Sequence, residues 1–224
     1  MKLLKTFRHE FKYIISYEEM LALREKLNQI CEIDRSTNGY SIRSLYFDSL
    51  DDEDYYDKLG GEVARKKIRL RLYDGDASLI KLEIKNKYDI HQLKESLIIN
   101  KTDCQELIRG NYQVLLKYND EFANKLYSIM RSNIYKPKVI IEYKRIAYMT
   151  KNKTRITFDF NIKNSYDIYR FLDKKINYNN ITNKTDVVLE VKFDRFLEPY
   201  LTNILSKYEV RNQSVSKYVI GRNM

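Results

Sequence analysis

Between Lys66 and Lys87 apolar and charged residues alternate: Ile68, Leu70 and Leu72 interleave with Lys67, Arg69 and Arg71, then Ile80, Leu82 and Ile84 with Lys81, Glu83, Lys85 and Lys87. A period of two interrupted by Asp74-Gly75-Asp76 predicts a hairpin with one apolar and one charged face. The same period predicts a first strand over 5–16, with Phe7, His9, Phe11 and Tyr13 against Arg8, Glu10 and Lys12. His9 falls on the apolar side and is expected in the core. Further strands are predicted at 40–48, around Leu93–Ile99, in the paired segments 138–149 and 155–162, and around 187–193.

Helical signals fall between the strands. Ser16 with Glu19 forms a capping-box pattern, and Leu23, Leu27 and Ile30 follow at helical spacing, so a helix is expected over 17–31. An acidic first turn predicts a short helix after Asp48 that Gly60 and Gly61 stop. A short helix starting at Thr102 and Asp103, one over 119–133 and a final one at Pro199 complete the set, with a polar loop at 174–184.

A charged face turned to water is the ordinary outcome for such strands. Their excess of Lys and Arg suits a second arrangement better: an α+β fold whose antiparallel sheet closes into a β-barrel, with peripheral helices and the charges inside. Arginine forks and lysine point charges in such a lumen would hold a run of phosphates. The acids Glu10, Glu83, Asp159 and Glu190 would either pair with neighbouring cations or hold Mg²⁺ or Mn²⁺, ions that favour oxygen ligands.

Composition agrees with this reading. The 224 residues carry a net charge of +10, which points to an anionic partner. One domain over 1–224 is expected at this size. Cys31 and Cys104 stand apart and His9 and His91 are the two histidines, so neither a disulfide scaffold nor a zinc centre is expected. No apolar run approaches a membrane span and the amino terminus has charges throughout, so a cytoplasmic location is expected. Phosphate-loop, dinucleotide-binding and zinc-protease motifs are absent, as are patterns for specific nucleic-acid recognition.

The segments "RHEFKYIIS", "SLYFDS", "IRLRLY", "LEIKNK", "EYKRIAY", "RITFD", "LEVKFD" and "SVSKY" occur in the order found in the VTC domain. This is the polyphosphate polymerase domain of the vacuolar transporter chaperone complex and its bacterial relatives. The chain resembles that domain over nearly its whole length, and through it the triphosphate tunnel metalloenzymes, or CYTH superfamily. The resemblance implies transfer of the γ-phosphate of ATP to a growing polyphosphate chain with Mn²⁺ or Mg²⁺. It implies that Lys12, Arg69, Arg71, Lys85, Lys94, Arg145 and Arg155 bind phosphate, that Glu190 and Glu10 bind metal, and that Ser216 and Lys217 lie at the phosphate being transferred. It also leaves room for a membrane-protein partner. Many of these relatives begin with the pattern ExExK, whereas Arg8 stands first here, with Glu10 and Lys12 after it. That departure weakens a two-metal triphosphatase reading. The alternatives are hydrolysis of triphosphates or polyphosphate, and non-catalytic binding of polyphosphate or nucleic acid.

Overall fold

The computed structural model describes residues 8–89, 91–207 and 215–222. Lys5, Thr6 and Phe7 of the expected first strand and Ser214 of "SVSKY" lie outside the described residues, as does the side chain of Arg8. The chain forms two compact units, each drawn from three separated stretches: 1–40, 143–162 and 182–216 in the first, 41–142, 163–181 and 217–224 in the second.

In the first unit, β1 (Arg8–Ser16) runs directly into α1 (Tyr17–Ile30). The Ser16 side chain accepts from the Glu19 N–H at 3.2 Å, and the Glu19 carboxylate accepts from the Ser16 N–H at 2.8 Å, which satisfies two donors otherwise stranded at the helix start. β1 pairs antiparallel with β11 (Asp186–Asp194), and β11 pairs with β9 (Arg155–Ser165). The short β2 (Glu32–Asp34) pairs with the end of β8 (Lys136–Met149). Tyr13, Ile15, Phe158, Leu189 and Val191 bury one face of these strands against Met20, Leu23 and Leu27 of α1 and against Leu201 and Leu205 of α5 (Pro199–Leu205). His9, expected in the core, is exposed instead and stacks on Phe193 at 5.1 Å, near the start of β1 where the sheet face is open to water.

The second unit is built on β3 (Tyr40–Asp48), β5 (Ile68–Tyr73), β6 (Asp76–Tyr88) and β7 (His91–Ile99), paired in that order. Asp74 and Gly75 take φ of 53° and 68°, the left-handed pair that a tight hairpin turn requires. Ile68, Leu70, Leu72, Ile80, Leu82 and Ile84 are fully buried against α3 (Lys101–Ile108), a 3₁₀ turn (Tyr112–Tyr118) and α4 (Glu121–Ser132). The helices therefore lie on the apolar face, as the alternation predicts. α2 (Glu53–Gly60), the two-residue strands β4 (Ala64–Arg65) and β10 (Asn179–Asn180), and α6 (Lys217–Arg222) complete the unit.

All eleven strands among the described residues belong to one antiparallel sheet, in the order β1-β11-β9-β8-β3-β5-β6-β4 with β2, β7 and β10 as side branches. Among the described residues this path does not close, which corrects the expected barrel. The strand beyond β6 is β7, whose residues His91, Gln92, Lys94 and Glu95 are exposed or half-buried. Polar and charged residues of this kind are what keeps an unpaired strand edge from recruiting another.

Candidate phosphate-binding site

On the face of β5 and β6 away from the helices, strand register sets Tyr46 and Glu83 on either side of Arg69, Ser44 beside Arg71, and Lys85 beside Lys94. Glu83 is 1% exposed. Its Oε2 accepts from Arg69 Nε at 2.8 Å with Arg71 Nη1 at 3.8 Å, and its Oε1 lies 2.5 Å from Lys94 Nζ. Burial alone would raise the pKa of this carboxyl, but Arg69, Arg71 and Lys94 hold it down at about 2. Arg69, Arg71 and Lys94 thus converge on one buried carboxylate.

Tyr46 ties this cluster to the start of α6. Its hydroxyl accepts from Arg69 Nη1 at 3.3 Å. Burial pushes its pKa up, yet the charges of Arg69, Arg71 and Lys217 bring it below the ordinary value. The ammonium of Lys217 therefore acts on the same buried phenol as the two guanidinium groups. Arg71 Nε also donates to Ser44 Oγ at 3.3 Å, and Lys85 is half-buried with its backbone paired to Lys67.

The first unit has its own charged face. Lys12 Nζ lies 2.6 Å from Glu10 Oε1 and donates to the Val215 carbonyl at 3.3 Å, next to the buried Ser216. Lys192 stands between two acids, paired with Glu190 and 3.6 Å from Glu10 Oε2. Arg145 grips the fully buried Asp159 through two parallel bonds of 2.6 and 2.7 Å. Arg155 donates to Asp34 at 2.7 Å and to the Tyr40 hydroxyl at 3.2 Å.

These contacts sort the four candidate metal acids. Glu83 and Asp159 orient arginines, whereas Glu10 and Glu190 pair with lysines, Glu10 with Lys12 and both acids with Lys192. Among the described residues no group of three or more His, Cys, Asp or Glu is arranged for a metal. Two carboxylates nevertheless fit an ion that completes its shell with phosphate oxygens and water. The hydroxyl of Thr157, paired across the strands with Glu190, is buried and has no hydrogen-bond partner among the described residues, and neither has Arg155 Nε. Buried polar atoms left without partners beside a carboxylate are what a phosphate oxygen would satisfy.

The expected site residues divide between the units: Lys12, Arg145, Arg155, Glu10, Glu190 and Ser216 belong to the first, and Arg69, Arg71, Lys85, Lys94 and Lys217 to the second. Tyr46, Thr157 and the pairing of Glu83 with three cations are additions. Thiol chemistry has no place here, since burial pushes Cys31 up to about 11 and Cys104 to about 12. No described helix is long and apolar enough to cross a membrane.

A family model described as the VTC domain matches residues 7–224. No curated protein matches the chain significantly. Among solved structures, a proposed adenylate cyclase from Vibrio parahaemolyticus is similar at 14% identity and a TM-score of 0.54, over 96% of this chain and 97% of that one. A second proposed adenylate cyclase, from Bacillus halodurans, is similar at 12% identity and 0.52, over 94% and 93%. A conserved protein of unassigned function from Pyrococcus furiosus is similar at 12% identity and 0.50, over 95% and 99%. These likenesses establish a shared fold.

Proposed function

The chain belongs to the VTC domain family, and we propose that it is a polyphosphate polymerase that transfers the γ-phosphate of ATP to a growing inorganic polyphosphate chain. The observation that carries this reading is the convergence of Arg69, Arg71 and Lys94 on buried Glu83, with Lys217 beside Tyr218, whose ring stacks on the Tyr46 that Arg69 contacts. Such a surface has positive charge in excess and fixed donor geometry, the conditions under which phosphate oxygens are held tightly.

Arg69, Arg71, Lys85 and Lys94 in the second unit, and Lys12, Arg145 and Arg155 in the first, are the phosphate-binding residues. Glu83 and Asp159 keep their arginines in fixed orientations, so the guanidinium groups need little rearrangement when phosphate arrives. Ser216 and Lys217 serve the phosphate being transferred. The acceptor is a phosphate that is already ionised, so no general base is required, and the work of the protein is positioning and charge stabilisation. Glu10 and Glu190 would hold a bound Mn²⁺ or Mg²⁺, which would supply positive charge to offset that of the phosphates.

Incubation with ATP and Mn²⁺, followed by electrophoresis of the products and an orthophosphate assay, tests this function. Long polyphosphate with ADP is the expected outcome. Orthophosphate without polymer would make the protein a hydrolase, and neither product would make it a binder.

A further inference from the structure

Lys217 opens a helix of six residues, too short to hold itself in place. Its position is set by contacts made by the residues that follow it, and these form a connected group within the second unit. The Tyr218 hydroxyl donates to Asp48, a fully buried carboxylate that also accepts from the Ser49, Asp54 and Tyr55 N–H groups and so caps the start of α2. Arg222 is gripped by Asp52 through two bonds of 2.6 and 2.9 Å and donates to the Tyr218 hydroxyl at 3.1 Å. The Gly221 carbonyl accepts from Asn164 at 2.8 Å, and a side chain at Gly221 would strike Ile141.

The ring of Tyr218 stacks on Tyr46 with centroids 5.1 Å apart and planes at 22°. Tyr46 in turn accepts from Arg69. Tyr46 and Asp48 are two residues apart on β3, so one strand face meets both the ring and the hydroxyl of Tyr218.

We propose that Tyr218 is a positioning residue, which through its ring on Tyr46 and its hydroxyl on Asp48 holds α6 so that the Lys217 ammonium meets the same phosphate group as Arg69 and Arg71. The Asp52–Arg222 pair is the second arm of this clamp. The assignment rests on the reading of Lys217 as the cation at the transferred phosphate. Without the clamp, Lys217 keeps its charge and loses its place, and a small displacement at a transfer site costs roughly a hundredfold in rate.

The test uses protein labelled with [13Cε]lysine, inorganic tripolyphosphate as the probe, and Lys217→Ala to assign the Lys217 signal. In the wild type tripolyphosphate should shift that signal. In Tyr218→Phe, which keeps the ring and its volume, the shift should fall by at least half, and transfer should slow roughly tenfold or more with KM near the wild-type value. Asp52→Ala should act in the same direction. In the Lys217→Ala background Tyr218→Phe should have no further effect on transfer, because residues acting as one unit are not additive. A Lys217 shift of wild-type size in both variants would overturn the clamp while leaving the phosphate site intact. A Lys217 signal that does not respond even in the wild type would refute the phosphate site, and the clamp with it.

Discussion

Glu83→Gln removes the carboxylate on which Arg69, Arg71 and Lys94 converge, and it should move stability and ligand affinity in opposite directions. The pKa of Glu83 lies near 2 in the fold against an ordinary value of 4.5, a difference that corresponds to about 3 kcal/mol for a side chain that is 1% exposed. Because the folded value is the lower one, this stabilisation is fully present above pH 4.5 and is lost as pH falls towards 2. Urea unfolding should therefore find the variant about 3 kcal/mol less stable at pH 7, with the gap closing through that acid window. The same change frees three cations from an internal competitor. A unit charge about 10 Å from a bound phosphate at an effective dielectric near 20 contributes about 1.7 kcal/mol, so calorimetry should find tripolyphosphate bound roughly tenfold more tightly. A variant as stable as the wild type, a gap that does not depend on pH, or weaker tripolyphosphate binding would mean that Glu83 is not the buried counter-charge of these cations.

Thr157→Val deletes a buried hydroxyl that has no hydrogen-bond partner among the described residues, so thermal unfolding should show stability unchanged or raised by about 1 kcal/mol, while calorimetry shows weaker tripolyphosphate binding. A merely structural Thr157 would show loss of stability instead. Glu190→Gln should keep the fold, because Lys192 retains Glu10 as a partner. It should raise the Mn²⁺ concentration needed for half-maximal turnover at least tenfold, read by titration of activity against metal.

The strands and their faces were legible because each carries its own evidence in neighbouring residues. The capping box at Ser16 and Glu19, the Asp74-Gly75 turn and the alternation around Ile68 and Arg69 need no distant partner, and all three appear as expected. Elements held by long-range contacts were not legible. α6 depends on Tyr218 meeting Asp48, 170 residues away, and no cap or period announces it. The two units draw on interleaved stretches of chain, so no composition shift marks a boundary. Alternation indicates that a face is charged without saying how the charges pair, so the roles of Glu83 and Asp159 could be separated from those of Glu10 and Glu190 only through their contacts. Nor does alternation fix whether a sheet closes, which depends on the strand beyond β6 and its polar residues.

In the proposed mechanism fixed cations, and no protein nucleophile or base, carry phosphoryl transfer. The most direct measurement is the single-turnover transfer rate of Lys217→Ala beside its affinity for a non-hydrolysable ATP analogue. Charge reorganises most in the transition state, so the rate should fall roughly a hundredfold or more while analogue affinity stays within about threefold. An unchanged rate, or a loss confined to affinity, would contradict the account.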